Sequence, residues 1–600
     1  MLRPTLPIAL LALPALLAAC TGQGTARAVF PRPTEDVLDP EAEERQTPRR
    51  KAWFEHRHQT APGVDWRALE RANGEAQIER RNRLATALVV PPSAWVERGS
   101  QNLAGRVHAA ALAPDGQSLY VGTALGGTWE GTLDGGGWTP FGDNLYGGGH
   151  HLAVLPGAQP GDPDVVLVAS DGGLVHVTRN RGTTWEVPAG LGQTSAVRRA
   201  LTASDGSGTV YLVRRRSSAW KLMRSTDGMA SFTEVHHLGS FAGDAWTTRD
   251  GRPDLYLVTG SGLLKSSDHG TSWTSVGPAP TSGSQAELTG SEAGAPRLWG
   301  VWSGGGLEKL HRSDDAGATW SFVANLSDYW NVLNASITTP DTFLYGGVET
   351  HRTVNGGTSF AVINTWQAYY GNPAARLHAD IQGIDVVPQA GPHGETWYIA
   401  TDGGLYRSTD LLASVQNLSL SGLRVSQYYT THTSSANPLH VVAGAQDQGY
   451  QRASAAPPFP GTSLAFSQLI SGDYGHLTSG DGDHGFLFSV YPGFVLCQVG
   501  EGNPQLYLED FPAGEDHAWM PPVVADPLDP RHFFLCASRL YRYTRGAGND
   551  WSFALWSSFD FGVANGEYVS ALTFSPLDPQ KAWAVTDRGR IYHSSDRGVS

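Results

Sequence analysis

The chain has 600 residues, of which 72 are glycine and 37 are proline, while 10% are aromatic and only 17% are charged. This composition excludes a coiled coil and a disordered chain, and glycine-rich turns between aromatic-rich segments favour a large all-β protein with many short strands. The formal net charge of −14 argues against a nucleic-acid partner, because phosphate binding needs a concentrated basic face.

The first twenty residues have the pattern of an export signal. Arg3 gives a positive start, and residues 6–19 form an apolar run that is short for a membrane-spanning helix. The run ends in Leu17-Ala-Ala-Cys20, which resembles the bacterial lipobox, and Thr21 follows where Asp would indicate retention in the inner membrane. We expect a signal peptide over 1–20 and an outer-membrane lipoprotein, periplasmic or at the cell surface, held by a lipid on Cys20. An ordinary secretory signal is the alternative.

Residues 21–94 differ in composition from the rest of the chain. Proline and charged residues dominate 31–51, and the segment 66–74 predicts a short helix that ends at Gly74. We predict a solvated, charged tether with short helices, in preference to a basic binding patch.

From about Trp95 the chain repeats an octet: Ser or Thr, any residue, Asp or Asn, any residue, Gly, any residue, Ser or Thr, then an aromatic residue. Clean copies start at Thr178, Ser266, Ser313 and Thr353, and worn copies start at Thr132, Ser225 and Ser408. A further copy begins at Ser594 and reaches the last residue given. The acid or amide positions are Asp134, Asn180, Asp227, Asp268, Asp315, Asn355, Asp410 and Asp596.

The octet has the chemistry of a turn. An Asp or Asn side chain accepts hydrogen bonds from backbone N–H groups that follow it, and the glycine supplies a positive φ at little cost. The aromatic residue then enters the next strand and packs in the core. We therefore predict that these acids and amides are structural and not catalytic.

This octet resembles the Asp-box, or bacterial neuraminidase repeat, of sialidases, sortilin-type receptors and xyloglucan-specific endoglucanases. The resemblance implies a β-propeller in which each octet joins the outer two strands of one blade.

The spacing of the octets gives the number of blades. Successive acid positions from Asp134 to Asp410 lie 40 to 55 residues apart, with an average of 46, which fits a four-stranded blade. The spacing predicts tandem β-propellers: a seven-bladed ring over 95–417 and a partial second propeller of about four blades over 418–600. Because four blades leave open sheet edges, we expect the natural chain to continue for about three more blades. A single irregular ring of eleven blades is the alternative.

Candidate ligand-binding residues concentrate near the predicted junction of the two rings, where acidic, amide and histidine side chains stand among glycines. They are His378, Asp380, Gln446, Asp447, Asp473, His476, Asp481 and Asp483. Such loops suit a paired acid and base, a calcium site, or turns that satisfy themselves locally. We expect no metal or cofactor, with calcium as the alternative. Asp402, Asp447 and Asp473 are the candidate catalytic residues if the protein is an enzyme.

The resemblance to xyloglucan endoglucanases implies a catalytic Asp in a first-blade Arg-Thr-Asp-Ile-Gly-Gly segment. The matching stretch 122–127 carries Ala124 at that position, which removes one member of the carboxylate pair. The arginine signature of sialidases is also missing. Gly147-Gly-Gly-His-His151 places two histidines near the channel, and we interpret both as structural.

We therefore predict a non-catalytic cell-envelope lipoprotein whose propellers bind a polysaccharide or an envelope protein. One alternative is a divergent glycoside hydrolase that acts in the cleft between the propellers. Another is a sortilin-like or assembly-factor subunit of an envelope complex. Cys497 and Cys536 lie in apolar runs in a compartment that permits disulfides, and the sequence leaves their pairing open.

Overall fold

The computed structural model describes residues 40–86, 97–143, 145–170, 172–192, 194–294, 296–389, 391–454, 463–547 and 550–600. The predicted signal peptide and Cys20 lie outside these residues. Among the described residues, no helix is both long and apolar enough to cross a membrane.

The described part of the chain consists mainly of short antiparallel sheets that follow one another in sequence, which we number as blades 1 to 11. The strands of blades 1 to 4 are β1 Val107–Leu112, β2 Ser118–Thr123, β3 Thr128–Thr132 and β4 Thr139–Pro140; β5 His151–Leu155, β6 Val165–Ala169 and β7 Val175–Thr178; β8 Ala196–Thr202, β9 Val210–Arg216, β10 Ala219–Ser225 and β11 Thr233–Gly239; β12 Asp244–Thr247, β13 Leu255–Thr259, β14 Gly262–Ser266 and β15 Thr274–Pro278.

Blades 5 to 7 continue this pattern. Their strands are β16 Gln285–Ser291, β17 Arg297–Gly304, β18 Leu307–Ser313 and β19 Ser321–Leu326; β20 Val332–Ala335, β21 Phe343–Gly346, β22 Thr350–Thr353 and β23 Ala361–Val362; β24 Ile381–Pro388, β25 Glu395–Thr401, β26 Gly404–Ser408 and β27 Gln416–Asn417. In blade 2 the fourth strand is reduced to a bridge between Val177 and Glu186.

Blades 8 to 11 follow after a short connection. Their strands are β28 Tyr428–Thr433, β29 Val441–Ala445, β30 Gly449–Ala453 and β31 Ser467–Ile470; β32 Gly475–Ser479, β33 Phe486–Tyr491, β34 Phe494–Val499 and β35 Gln505–Asp510; β36 Val523–Ala525, β37 His532–Cys536, β38 Leu540–Arg545 and β39 Trp551–Leu555; β40 Val569–Phe574, β41 Ala582–Thr586 and β42 Ile591–Ser594. A short helix, α3 Phe561–Asn565, precedes blade 11.

The first seven blades close into a ring. The innermost strands pack on one another in order from β1 to β24, and β24 returns to pack on β1. A shared apolar cluster seals this junction, with Trp129 of blade 1 against Leu405 of blade 7, and Trp138 Nε1 donates to the Leu418 carbonyl at 3.1 Å. The predicted seven-bladed propeller with a partial second propeller is therefore confirmed, and the single ring of eleven blades is wrong because blade 7 already closes on blade 1.

Blades 8 to 11, the partial propeller, stack in the same way, with β28 on β32, β32 on β36, and β37 on β40. Cys497 and Cys536 are both free thiols and both fully buried. Burial raises the pKa of each thiol, so both behave as small apolar core side chains.

Two helices precede the first blade, α1 Pro40–Arg57 and α2 Trp66–Thr86. The sequence predicted a solvated tether here, but Trp53 of α1 and Ile78 of α2 are only 8% and 6% exposed. The predicted end of the second helix at Gly74 is also wrong. A Cβ atom on Gly74 would lie 2.6 Å from Cβ of Tyr146, so the glycine lets α2 approach blade 1 closely instead of ending the helix.

Candidate functional site

Four aspartates meet where blade 7 faces blade 8, and we call Asp380, Asp402, Asp447 and Asp473 the acid centre. Asp402 follows β25 in the β25–β26 hairpin of blade 7, and Asp447 lies in the equivalent β29–β30 hairpin of blade 8. Asp380 directly precedes β24, and Asp473 lies in the connection from β31 to β32. The site is therefore built from hairpin turns and strand entries at one end of two adjacent sheets.

An arginine from blade 1 holds the centre together. Arg106 directly precedes β1, its Nε donates to Asp402 Oδ1 at 2.6 Å, and its Nη2 donates to Asp402 Oδ2. The Asp402 side chain is fully buried, whereas that of Arg106 is 24% exposed. The same Nη2 lies 3.6 Å from Asp447 Oδ2. Burial opposes the charge on Arg106, but the hydrogen bonds and charge of Asp402 more than offset it and raise the arginine's pKa.

Three of the acids are close enough to share one cation. One carboxylate oxygen each of Asp380, Asp402 and Asp447 lies within 4.8 Å of the other two. Oxygen ligands of this kind suit calcium or magnesium. However, the Arg106 guanidinium already contacts Asp402 and approaches Asp447, so the chain supplies its own cation. The calcium alternative stays a prediction.

The two acids of the partial propeller favour their neutral forms. Burial and the neighbouring carboxylates of Asp402 and Asp473 raise the pKa of Asp447 well above its usual range, against the opposing charge of Arg106. Burial also raises the pKa of Asp473, whose Oδ1 accepts a hydrogen bond from the Asp447 backbone N–H at 3.0 Å. Both acids therefore hold a proton more tightly than a free aspartate does, and they lie beside the ion-paired Asp402.

Two residues of the acid centre have a backbone conformation with positive φ. Asp380 and Asp447 have φ values of +64° and +58°, in the left-handed region that residues with a Cβ atom rarely adopt. The octet turns adopt the same conformation, for example at His269 and Ala316, so this feature does not distinguish the acid centre.

Sequence reasoning missed the two arginines of the site. Arg50 of α1 reaches the centre through Gln446: in the amide orientation that satisfies both ends of Gln446, its oxygen accepts from Arg50 Nη2 at 2.7 Å and from Arg106 Nη2 at 3.2 Å. Arg50 stands in the charged segment that the sequence predicted to be a tether. The strand-entry position of Arg106 was the only available signal, because its partners lie about 300 residues away in the chain.

Of the two candidate histidines of the junction, His378 is buried and His476 is partly buried. His378 lies under the Asp402 turn, where a Cβ atom on Gly403 would meet its Cγ at 2.4 Å, and its ring contacts Tyr369 edge-on at 4.7 Å. Burial lowers the pKa of His378, and burial together with the charge of Arg57 lowers that of His476 to about 4. Both are therefore neutral at neutral pH.

Asp481 and Asp483 do not join the acid centre. They follow β32 at the end opposite Asp473, about 16 Å along the strand at about 3.3 Å per residue. Asp481 Oδ1 accepts from Ser479 Oγ at 2.8 Å, and Asp483 Oδ1 accepts from the Gly485 N–H at 3.0 Å. Both carboxylates fold back onto their own turn, away from Asp447 and Asp473, and a ligand-binding role for them stays a prediction.

Ala124 occupies the β2–β3 hairpin of blade 1 at the position that Asp402 occupies in blade 7. Its N–H donates to the Arg106 carbonyl at 3.2 Å, so it adjoins the site without contributing a carboxylate. Further along the channel, the rings of His150 and His108 are 3.9 Å apart, and His151 Nε2 lies 3.1 Å from the Val197 carbonyl.

The octets adopt the turn that their composition predicts. Asp268 Oδ1 accepts from Ser266 Oγ at 2.8 Å and from the Ser272 N–H at 2.9 Å, while Oδ2 accepts from Ser272 Oγ at 2.6 Å. Gly270 has a φ of +80°, and the turn joins β14 to β15, the outer two strands of blade 4. The same local contacts recur at Asp227, Asp315, Asp410 and Asp596, and with amides at Asn180 and Asn355. Asp134 bonds within its own turn to Thr132 Oγ1.

No family model and no curated protein matches this sequence. Among solved structures, the GH74 enzyme of Niastella koreensis matches with a TM-score of 0.58 at 13% identity, over 84% of this chain and 79% of that chain. This likeness shows the fold, a β-propeller architecture.

The GH74 xyloglucanase from Xanthomonas campestris matches at 15% identity over 84% of this chain and 94% of that one, with a TM-score of 0.46. PorZ, a surface component of the type-IX secretion system of Porphyromonas gingivalis, matches at 9% identity over 83% of this chain and 81% of that one, with a TM-score of 0.35. Scores this low carry no argument.

Proposed function

We propose that this protein binds a polysaccharide in the cleft between its propellers, at the acid centre. The observation that carries the proposal is the convergence of Asp402, Asp447 and Asp473 from two adjacent blades onto one partly exposed point. Sugar hydroxyls are neutral donors and acceptors, so they suit carboxylates whose charge is balanced by arginine or by a bound proton.

Binding is a better match to this geometry than hydrolysis. Both oxygens of Asp402 are engaged by Arg106, which leaves this carboxylate poorly placed as a nucleophile or a base. Ala124 contributes no acid from blade 1. Glycoside hydrolysis uses two carboxyl groups on either side of the scissile bond, whereas one carboxylate oxygen each of Asp380, Asp402 and Asp447 lies within 4.8 Å of the other two, so these acids are grouped at one point.

Binding is tested by calorimetry with xyloglucan oligosaccharides and other neutral β-glucans. We expect the double variant Asp447→Asn/Asp473→Asn to lose at least tenfold in affinity while it unfolds at the temperature of the parent or higher. The matched control is Asp227→Asn/Asp410→Asn, which makes the same chemical change in two octets and leaves affinity unchanged. Equal affinity in the parent and both variants would contradict the proposal.

Glycoside hydrolysis is the second candidate, and the raised pKa of Asp447 favours it, because a general acid must hold its proton near neutral pH. If the protein is a hydrolase, it releases reducing ends from a β-glucan, and Asp447→Asn abolishes this release without loss of binding. If the parent binds the β-glucan but releases no reducing ends, hydrolysis is contradicted and only the non-catalytic function remains.

We further propose that the protein works in the cell envelope, anchored by a lipid on Cys20; the lipobox-like segment 17–20 supports this. Metabolic labelling with a palmitate analogue should mark the parent chain and not Cys20→Ser. An unlabelled parent chain found in the culture medium would contradict the anchor and favour an ordinary secretory signal.

A further inference from the structure

Helix α1 packs on the partial propeller. Trp53 contacts Trp519 with ring centroids 5.3 Å apart and Tyr429 at 6.2 Å, and it belongs to the apolar cluster of blades 9 and 10. Nearby, Arg49 Nη2 donates to the His517 carbonyl at 2.8 Å. One buried aromatic side chain and its neighbours therefore attach the helix to this half of the molecule.

Helix α2 packs on the first propeller instead. Ile78 joins the cluster of blades 1 and 2, and the Asn82 amide pairs with the backbone of Trp185 through two hydrogen bonds of 2.9 and 3.1 Å. Glu55 ties the helices together by accepting from Trp66 Nε1 at 2.8 Å. The α1–α2 hairpin thus bridges the two propellers on the side of the cleft.

The bridge brings Arg50 into the acid centre. Its guanidinium donates to the Gln446 oxygen at 2.7 Å, and the Asp473 and Asp447 carboxylates are electrostatic neighbours of its charge. A ligand that donates a hydrogen bond to the Gln446 oxygen would compete with Arg50 for that acceptor.

We propose that α1 is an autoinhibitory strap: Arg50 occupies the position of a ligand group, and the acid centre opens to polysaccharide when α1 leaves the partial propeller. This inference rests on the proposed function for the identity of the ligand. The strap is suited to local opening, because the 58–65 connection is largely exposed and, among residues 47–57 of α1, only Trp53 is buried. Release of such a segment exposes a site without unfolding the blades.

The test inserts the recognition sequence of a site-specific protease at Gly63. This residue is exposed, with a φ of +82° and open space around it, so an insertion there disturbs no packing. The full chain is compared with the same preparation after cleavage, which cuts the backbone between α1 and α2. Two quantities are measured: hydrogen exchange over 446–449 and 471–475, and the affinity for xyloglucan oligosaccharides.

We expect cleavage to speed exchange of the Asp447 amide and to raise the affinity, each at least tenfold. Uncleaved Arg50→Ala should give part of the gain in affinity, and Lys51→Ala, which removes an equal charge from an exposed position on the same helix, should give none. Unchanged exchange with unchanged affinity would overturn the strap. So would a loss of the blades' cooperative unfolding after cleavage, which would make α1 a structural element. If cleavage speeds exchange but neither the intact nor the cleaved chain binds the oligosaccharide, α1 still covers the acid centre, and polysaccharide is not its ligand.

Discussion

Asp402 and Asp410 lie at opposite ends of the same strand, β26, and their carboxylates have different kinds of partner. Asp402 is fully buried and pairs with Arg106 from another blade, close to Asp447 of the other propeller. Asp410 accepts from Ser408 Oγ at 2.8 Å and from the Ser414 N–H at 3.0 Å, all within its own turn. The aspartate at the β25–β26 end of this strand therefore makes a long-range contact, whereas the aspartate at the octet end is part of a local turn.

The largest expected effect comes from breaking the cleft pair. Asp402→Ala removes the bidentate partner of Arg106 in a largely buried site and should lower the free energy of unfolding by about 3 kcal/mol. Urea unfolding monitored by tryptophan fluorescence measures this change. Arg106→Met/Asp402→Ala should cost less than the sum of the two single changes, because the pair is lost only once. If Asp402→Ala lowers the free energy of unfolding no more than Asp410→Ala does, the proposed difference between the two ends of the strand is contradicted.

The pH dependence of stability separates the two regions by sign. The raised pKa of Asp447 means that the folded state binds this proton more tightly than the unfolded state. The contribution of this proton to the free energy of unfolding is complete below about pH 4, and it is lost as the pH rises through the raised pKa. Asp447→Asn should therefore flatten the fall in stability above pH 4, by at most about 1.4 kcal/mol per pH unit.

Asp410 behaves in the opposite way. Although burial opposes it, hydrogen bonds from Ser414 and Ser408 lower its pKa, so its contribution is present above about pH 4 and is lost as the pH falls. Urea unfolding at a series of pH values from 3 to 8 measures both profiles. If Asp447→Asn and Asp410→Asn change the dependence of stability on pH in the same direction, the opposite signs expected for the two residues are wrong.

The smallest expected effect is in the octets. Asp410→Ala removes the local hydrogen bonds and should cost about 1 kcal/mol. Asp410→Asn should cost less than Asp410→Ala at neutral pH, because it loses the contribution of the charge but keeps the turn that Asn180 and Asn355 also make, with their Nδ2 groups donating to the hydroxyls of Thr184 and Ser359. Thermal unfolding of the two variants provides the measurement, and a large loss with Asn would mean that the negative charge itself is required.

The octet spacing was sufficient to predict the ring of seven blades, because each octet reports a local turn and the turns recur once per sheet. The sequence also singled out Asp402, Asp447 and Asp473, since glycines flank all three. It could not predict that Arg106 and Arg50 join them, because those contacts depend on how distant blades and α1 pack together. The burial of α1 was missed for a related reason: Trp53 stands among charged residues and finds its apolar partners more than 350 residues later.

The most direct measurement is carbodiimide labelling of carboxylates in the intact chain, resolved by mass spectrometry, with and without xyloglucan oligosaccharides. The account predicts that the oligosaccharide protects Asp447 and Asp473 and leaves the labelling of Asp227 and Asp410 unchanged. Protection of the octet acids, or no protection at the acid centre under saturating oligosaccharide, would contradict it.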